Sequence, residues 1–211
     1  MKKLVVFDLD DTLYYEIEFV KSAFKYIANY LDKNNSKLYT EMISNFHANK
    51  DVFEILTIKY NIKKAILINI YRNYLPPELP SQIDLPNFLI NLKCKKIILG
   101  IISDGRSITQ RNKLKALKIE NFFDKIIISE EFGSEKPTIN NYKAFDCFEI
   151  NSKFYIGDNT SKDFISANKL GWTTVCLLNI GQNIHPQDFN LASDYLPKYK
   201  INNLLDINLF I

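Results

Sequence analysis

Apolar residues recur along this chain with two different periods. Short runs rich in β-branched residues at 4–7, 97–102, 126–128, 154–156 and 173–178 show no alternation, the pattern of strands covered on both faces. Helix-length segments separate most of them, so the chain reads as repeated βαβ units and predicts a parallel sheet flanked by helices. The interval from about residue 14 to residue 85 departs from this. There Phe19 or Val20, Phe24, Ile27 and Leu31 return every three or four residues, as do Val52, Ile55, Leu56 and Tyr60, and no run reads as a strand. The expected fold class is therefore α/β, a Rossmann-like parallel-sheet core (residues 1–14 and 86–211) with an inserted helical cap domain (residues 15–85).

Prolines mark the downstream border of the insert. Pro76, Pro77, Pro80 and Pro86 are four of the chain's seven, and a helix over 86–93 then leads back into the sheet. Two neighbouring segments thus join insert and core, an arrangement that can hinge. A length of 211 residues accommodates one substantial core with a smaller appended domain.

Composition mainly excludes. Hydrophobic residues at 46% and charged residues at 24% argue against disorder, and a net charge of +3 from scattered lysines argues against a nucleic-acid or anionic-membrane surface. The apolar run after Lys2 and Lys3 stops at Asp8, too short for a signal peptide, and no later segment is long and apolar enough to span a bilayer. A cytoplasmic protein with no membrane, nucleic-acid or obligate protein partner is expected. Cys94, Cys147 and Cys176 lie far apart and read as buried free thiols. His47 and His185 are the only histidines and read as structural or surface residues. With no G-x-S-x-G present, a zinc site or a serine–histidine triad has little raw material.

Candidate chemistry gathers at the strand ends. The first run leads into Asp8-Leu9-Asp10-Asp11-Thr12, and in open α/β sheets ligands bind just beyond the carboxyl ends of the strands. Asp11 or Thr12 alone could cap a helix, but Asp8 and Asp10 together are not explained that way. Clustered carboxylates repel when ionised, and a hard cation with oxygen ligands normally compensates. The second run ends in Ser103-Asp104-Gly105-Arg106 before a helix, a hydroxyl and backbone N–H groups suited to an anion. The third is followed by Lys136-Pro137, an ammonium suited to a phosphoryl oxygen, and the fourth ends in Gly157-Asp158 with Asp163 five residues on. Taken singly, Ser103 reads as a helix cap and Asp163 as a favourable helix-start charge. Together, acid pair, hydroxyl, lysine and acid pair supply what metal-assisted phosphoryl transfer needs: a carboxylate cage and donors for the equatorial oxygens.

These residues resemble the four motifs of the haloacid dehalogenase superfamily, in order and over nearly the whole chain. Phe7 to Leu13 is similar to the first motif, Ser103 to the second, Lys136-Pro137 to the third, and Gly157-Asp158 with Asp163 to the fourth. The stretch from Ser103 through Gln110, Lys113-Leu114, Phe122-Phe123-Asp124 and Ser129 is similar to members with a helical cap between motifs one and two, including nucleotidase-like and acylneuraminate-9-phosphatase-like enzymes. The resemblance implies a Mg²⁺-dependent phosphatase in which Asp8 is the nucleophile and forms an aspartyl phosphate, and Asp10 is acid and base. It implies metal ligation by Asp8, Asp158 and the Asp10 carbonyl, with Asp163 ligating through water or orienting Lys136. Ser103, the Asp104 amide and Lys136 would hold the phosphoryl oxygens. Asp10 itself favours phosphate chemistry, since true haloacid dehalogenases lack an acid there.

The implied substrate is a small phosphorylated metabolite: a sugar phosphate, a nonulosonate phosphate or a nucleotide. Its selection falls to the cap, with Tyr14, Tyr15 and Glu16 at the cap entry and Arg106 as contacts, Arg106 as a clamp for a carboxylate or second phosphate. Phe19, Phe24 and Phe53 read as the cap's own core. A phosphotransferase or mutase on the same aspartyl phosphate, and a noncatalytic scaffold, are the competing readings. Two departures from relatives, Thr160 after Asn159 and Trp172 after Leu170-Gly171, predict changes in a loop and in the packing behind it.

Overall fold

The computed structural model describes residues 2–211 and contains one six-stranded parallel sheet. Its strands are β1 (Lys3–Phe7), β2 (Ile98–Ser103), β3 (Lys125–Ile128), β4 (Ser152–Gly157), β5 (Thr173–Leu177) and β6 (Tyr199–Ile201), in the order β3-β2-β1-β4-β5-β6. β1 lies in the middle, with Val5 level with Leu99 on one side and Phe154 on the other. Because side chains alternate across a strand, its unbroken apolar run feeds two layers: Val5 and Phe7 enter one buried cluster, Leu4 and Val6 another. Chain order reverses on either side of β1, which opens the crevice where α/β folds place ligands.

Five of the six strands match the apolar runs. The sixth has only Ile201 buried, so its sequence carries no periodic signal, and it completes the edge by pairing with β5.

Between β1 and β2 run α1 (Glu16–Leu31), α2 (Leu38–His47), α3 (Val52–Tyr60) and α4 (Lys64–Asn73), followed by α5 (Leu85–Cys94). The side chain of Asp84 accepts the Asn87 amide and starts α5. α1 to α4 bury a third apolar cluster that includes Ile17, Phe24, Ile27, Met42 and Leu67, with Phe53 packed against it. Phe19 differs from expectation: it belongs to the cluster shared with the sheet, at the root of α1, while Tyr71 of α4 touches both clusters.

The remaining helices are α6 (Ser107–Ala116), α7 (Ser129–Phe132), α8 (Ile139–Lys143) and α9 (Ile165–Lys169). Trp172 sits edge-on to Tyr142 and Phe145 at 5.9 and 6.3 Å, filling the layer behind the β4 loop. Thr160 is buried there and its hydroxyl accepts the Asp188 amide. Only one of the three cysteines is buried: Cys176 lies within β5, whereas Cys94 at a helix end and Cys147 in a loop are exposed, contrary to the expectation for them. Among the described residues no helix is long and apolar enough to cross a membrane.

Candidate active site

The carboxyl ends of β1, β2 and β4 converge with the loop after α7 on one buried ionic cluster. Asp8 follows β1 directly, its amide bound to the Ile156 carbonyl of β4 at 2.8 Å. Lys136 Nζ, 1% exposed in its side chain, lies 2.6 Å from Asp8 Oδ1 and 2.8 Å from Asp163 Oδ1. The Tyr155 hydroxyl lies 3.3 Å from both Lys136 Nζ and Asp163 Oδ1. Asp163 commits its other oxygen to the amides of Asp158 and Asn159, at 3.1 and 2.9 Å. Gly157 makes that possible: a Cβ there would stand 2.4 Å from Asp163 Oδ2, so only glycine lets the carboxylate cap the loop.

Carboxylate oxygens of Asp8, Asp158 and Asp163 lie within 4.8 Å of one another, and all three residues are buried. Burial pushes the Asp158 carboxyl up to about 9, reinforced by Asp163 and Asp8. Burial also raises Asp8, to about 7, with Lys136 opposing and Asp163 adding to the shift. Such a crowd of acids is the setting a hard divalent cation relieves, and an all-oxygen donor set suits Mg²⁺ or Ca²⁺. Asp8 and Asp158 each commit one oxygen to a protein donor, Lys136 and Asn183 respectively, whereas Asp163 commits both.

Asp10 occupies a second setting. Its Oδ1 accepts from the Tyr14 hydroxyl at 2.6 Å and Lys113 Nζ at 2.7 Å, and its Oδ2 from Gln110 Nε2 at 2.7 Å. Burial alone would raise its pKa, but Lys113 and these donors hold it below the ordinary carboxylate value. Gln110 Nε2 also donates to Ser103 Oγ at 2.5 Å, which leaves the Ser103 hydroxyl proton available to an anion. Asp104 braces the floor: its Oδ1 accepts the Lys136 amide at 3.0 Å and its Oδ2 pairs with Lys162 at 2.8 Å.

Asp11 lies apart from both settings, at φ 56°, its Oδ1 accepting the Glu16 amide at the start of α1 and its Oδ2 the Ile184 amide, both at 2.9 Å. Arg106 pairs with Glu130 at 2.7 Å on an exposed rim. That rim borders a cavity of about 360 Å³ between α4 and α6, lined by Asp10, Phe53, Tyr71, Arg72 and Lys113 among others. Tyr14 is fully buried and reaches the site through Asp10.

With this geometry in view, similarity to known proteins settles the family. Residues 5–177 match the family of haloacid dehalogenase-like hydrolases. The chain belongs to that family. This hydrolase is similar to the glyceraldehyde 3-phosphate phosphatase of Methanocaldococcus jannaschii, at 32% identity covering 98% of this chain and 96% of the relative. It is also similar to the enzyme of the same name from Methanothermobacter thermautotrophicus, at 33% identity covering 83% and 85%. Among solved structures, the HAD-hydrolase YfnB of Bacillus subtilis, bound to magnesium, superposes with a TM-score of 0.68 at 22% identity, covering 100% and 99% of the two chains. The protein is an enzyme, a phosphoric monoester hydrolase of the haloacid dehalogenase type.

Of the residues expected at the site, the fold brings Asp8, Asp10, Ser103, Asp104, Lys136, Asp158 and Asp163 to the strand ends of this hydrolase, and leaves Arg106 on the cavity rim. No role for Lys113, Lys162, Tyr155, Asn183 or Gln187 is legible in the sequence. Lys113 lies mid-helix in a mixed polar pattern where a solvated lysine is the ordinary expectation. Asn183 and Gln187 lie in a long loop after β5, and the strand-end rule that found the other sites pointed there as well. Gln187 Nε2 donates to the Asp158 and Leu177 carbonyls, both at 2.8 Å, pinning that loop beside Asp158.

Proposed function

We propose that this enzyme hydrolyses a small phosphorylated sugar of about the size of glyceraldehyde 3-phosphate, using Mg²⁺ and an aspartyl phosphate on Asp8. The observation that carries the reading is the buried cluster at the strand ends: three carboxylates drawn together, two of them, Asp8 and Asp163, paired with one lysine. The full-length similarity to two glyceraldehyde 3-phosphate phosphatases and the modest cavity of about 360 Å³ support the substrate class.

Asp8 attacks phosphorus as the bond to the leaving oxygen breaks, and Asp10 protonates that oxygen. Asp10 then takes a proton from the water that releases phosphate from Asp8. Lys136, the Ser103 hydroxyl and the Asp104 amide receive the phosphoryl oxygens. Asp8, Asp158 and the Asp10 carbonyl would hold the cation, with Asp163 orienting Lys136 through its 2.8 Å contact. When bound, Mg²⁺ neutralises charge on the phosphoryl group and the nucleophile. On this reading residues 15–85 are the cap domain, which lines the cavity with Glu16, Phe53, Ile68, Tyr71 and Arg72, and residues 1–14 and 86–211 are the core.

Phosphate release from glyceraldehyde 3-phosphate should exceed that from acidic sugar phosphates and nucleotides, should require Mg²⁺ and should vanish in Asp8→Asn. Full activity in that variant would eliminate the covalent route. Transfer of the phosphoryl group to a second alcohol in place of release would reassign the enzyme as a phosphotransferase.

A further inference from the structure

Helix α6 carries four buried polar side chains that form two stripes, Thr109 with Asn112 and Gln110 with Lys113, the members of each three residues apart. One stripe faces the end of α4. Thr109 Oγ1 donates to the Arg72 carbonyl at 2.9 Å, and Asn112 Nδ2 donates to the carbonyls of Asn73 and Tyr74 at 3.2 and 3.1 Å. These are carbonyls that the last turn of a helix leaves without internal partners. The other stripe faces Asp10: Gln110 on Oδ2 at 2.7 Å and Lys113 on Oδ1 at 2.7 Å.

Lys113 is almost wholly enclosed, its side chain 4% exposed and its ammonium 5.0 Å from the centre of the Phe19 ring. Glu16 Oε1 lies 3.4 Å from the same Nζ. The enclosed ammonium is thus compensated by two carboxylates, Asp10 and Glu16. A buried ion pair is a poor device for stability alone, since apolar side chains of similar volume commonly do as well. Its geometry has another consequence. With Gln110 fixing one oxygen and Lys113 and Tyr14 the other, the plane of the Asp10 carboxyl group cannot rotate independently of α6.

We infer that Lys113 is a positioning residue for leaving-group protonation, aiming the Asp10 carboxyl group at the leaving oxygen from a helix that is itself latched to the cap. The inference rests on the proposed role of Asp10 as acid and base. In the step concerned, the P–O bond to the leaving alcohol breaks as the bond from Asp8 to phosphorus forms. Asp10 passes to the alcohol oxygen the proton it took from water in the preceding turnover and returns to the carboxylate form that Lys113, Tyr14 and Gln110 hold, and Lys113 keeps all of its protons.

The consequence can be read from substrates that differ in their need for a proton. An alkoxide must be protonated as it leaves, whereas 4-nitrophenolate leaves almost unaided. Measuring kcat/KM reports the steps up to loss of the leaving group. For Lys113→Met, kcat/KM on glyceraldehyde 3-phosphate should fall about 100-fold, at the lower end of what a positioned proton donor contributes, against about threefold on 4-nitrophenyl phosphate. Lys113→Gln supplies a second neutral variant if the first does not fold, as judged by circular dichroism and melting. Lys113→Arg, which restores the charge, should bring the ratio of the two substrates most of the way back.

Equal losses on both substrates in a folded neutral variant, no loss on either, or a ratio in Lys113→Arg no closer to wild type would overturn the inference. Asp10→Asn separates this failure from that of the underlying reading. It should depress the sugar phosphate far more than the aryl phosphate. If Asp10→Asn leaves the ratio unchanged, the acid–base role fails; if it shifts the ratio and the Lys113 variants do not, only the role of Lys113 fails.

Discussion

Asp8 and Asp10 stand two residues apart on one strand end and each meets a buried lysine, yet their surroundings differ in charge. Around Asp8, Lys136 is shared with Asp163, and Asp158 stands close by, so negative charge is in excess. Around Asp10, Lys113, Tyr14 and Gln110 between them supply donors to both carboxylate oxygens. The first setting, with three carboxylates close together, suits a cation and a phosphoryl group; the second, where Lys113 is shared by Asp10 and Glu16, holds the Asp10 carboxylate in place for a proton. An acid pair in the sequence becomes a division of labour because the chain leaves β1 after Phe7: Asp8 meets Lys136 at the carboxyl end of the sheet, whereas Asp10, in the turn beyond, meets Tyr14 and, from α6, Lys113.

The largest expected break in this comparison is Asp8→Asn, which should lower phosphate release by at least roughly 10⁴-fold with the fold retained, as measured by circular dichroism beside the assay. Next comes Asp158→Asn. By relieving the crowding it should weaken Mg²⁺ binding about 100-fold, measured by calorimetry on the substrate-free protein, while leaving the Asp10 setting untouched.

The same crowding makes stability depend on pH. Asp158 and Asp8 are raised from 3.8 to about 9 and about 7, so between pH 4 and those values the folded state holds more protons than the unfolded chain. Their contribution to stability therefore falls as pH rises through that window. Metal-free protein should lose melting temperature on this account between pH 5 and pH 9, and both Asp158→Asn and added Mg²⁺ should flatten the trend. A slope identical in wild type and variant would contradict the charge excess.

Smaller effects sharpen the boundary between the settings. Asn183 Nδ2 orients Asp158 at 2.8 Å, so Asn183→Ala should weaken Mg²⁺ binding about tenfold, the scale of a lost outer partner of a metal ligand. The smallest effect should come from Arg106, which lines the exposed rim of the cavity but is paired there with Glu130 and bonds to neither aspartate. Arg106→Ala should leave kcat/KM on glyceraldehyde 3-phosphate within about threefold and stability within about 0.5 kcal/mol. A large rise in KM would instead make it a substrate clamp.

Much of this molecule was legible in order along the chain. The strands of a parallel sheet are buried on both faces and need continuous apolar runs, so five of the six were visible; β6, with only Ile201 buried, had no pattern to show. The polar groups at the strand ends were legible for the same reason, since each interrupts a run at a fixed place. Phe19 was misplaced because helical periodicity gives a buried face without saying which neighbour covers it, and at the root of α1 that neighbour is the sheet. Cys94 and Cys147 were misplaced because residue type sets only a preference for burial, and both lie outside the packed layers.

The sequence by itself determined the sheet, the inserted helices and the strand-end acids, because periodicity and adjacency are local properties that survive in one dimension. Tertiary structure alone decided the partners. That Lys136 reaches both Asp8 and Asp163, that Gly157 makes room for the Asp163 carboxylate, and that Lys113 of α6 closes on Asp10 are contacts between residues far apart in the chain or on different elements. Their strength depends on burial, which strips water from every charge at once and exists only after the layers have packed.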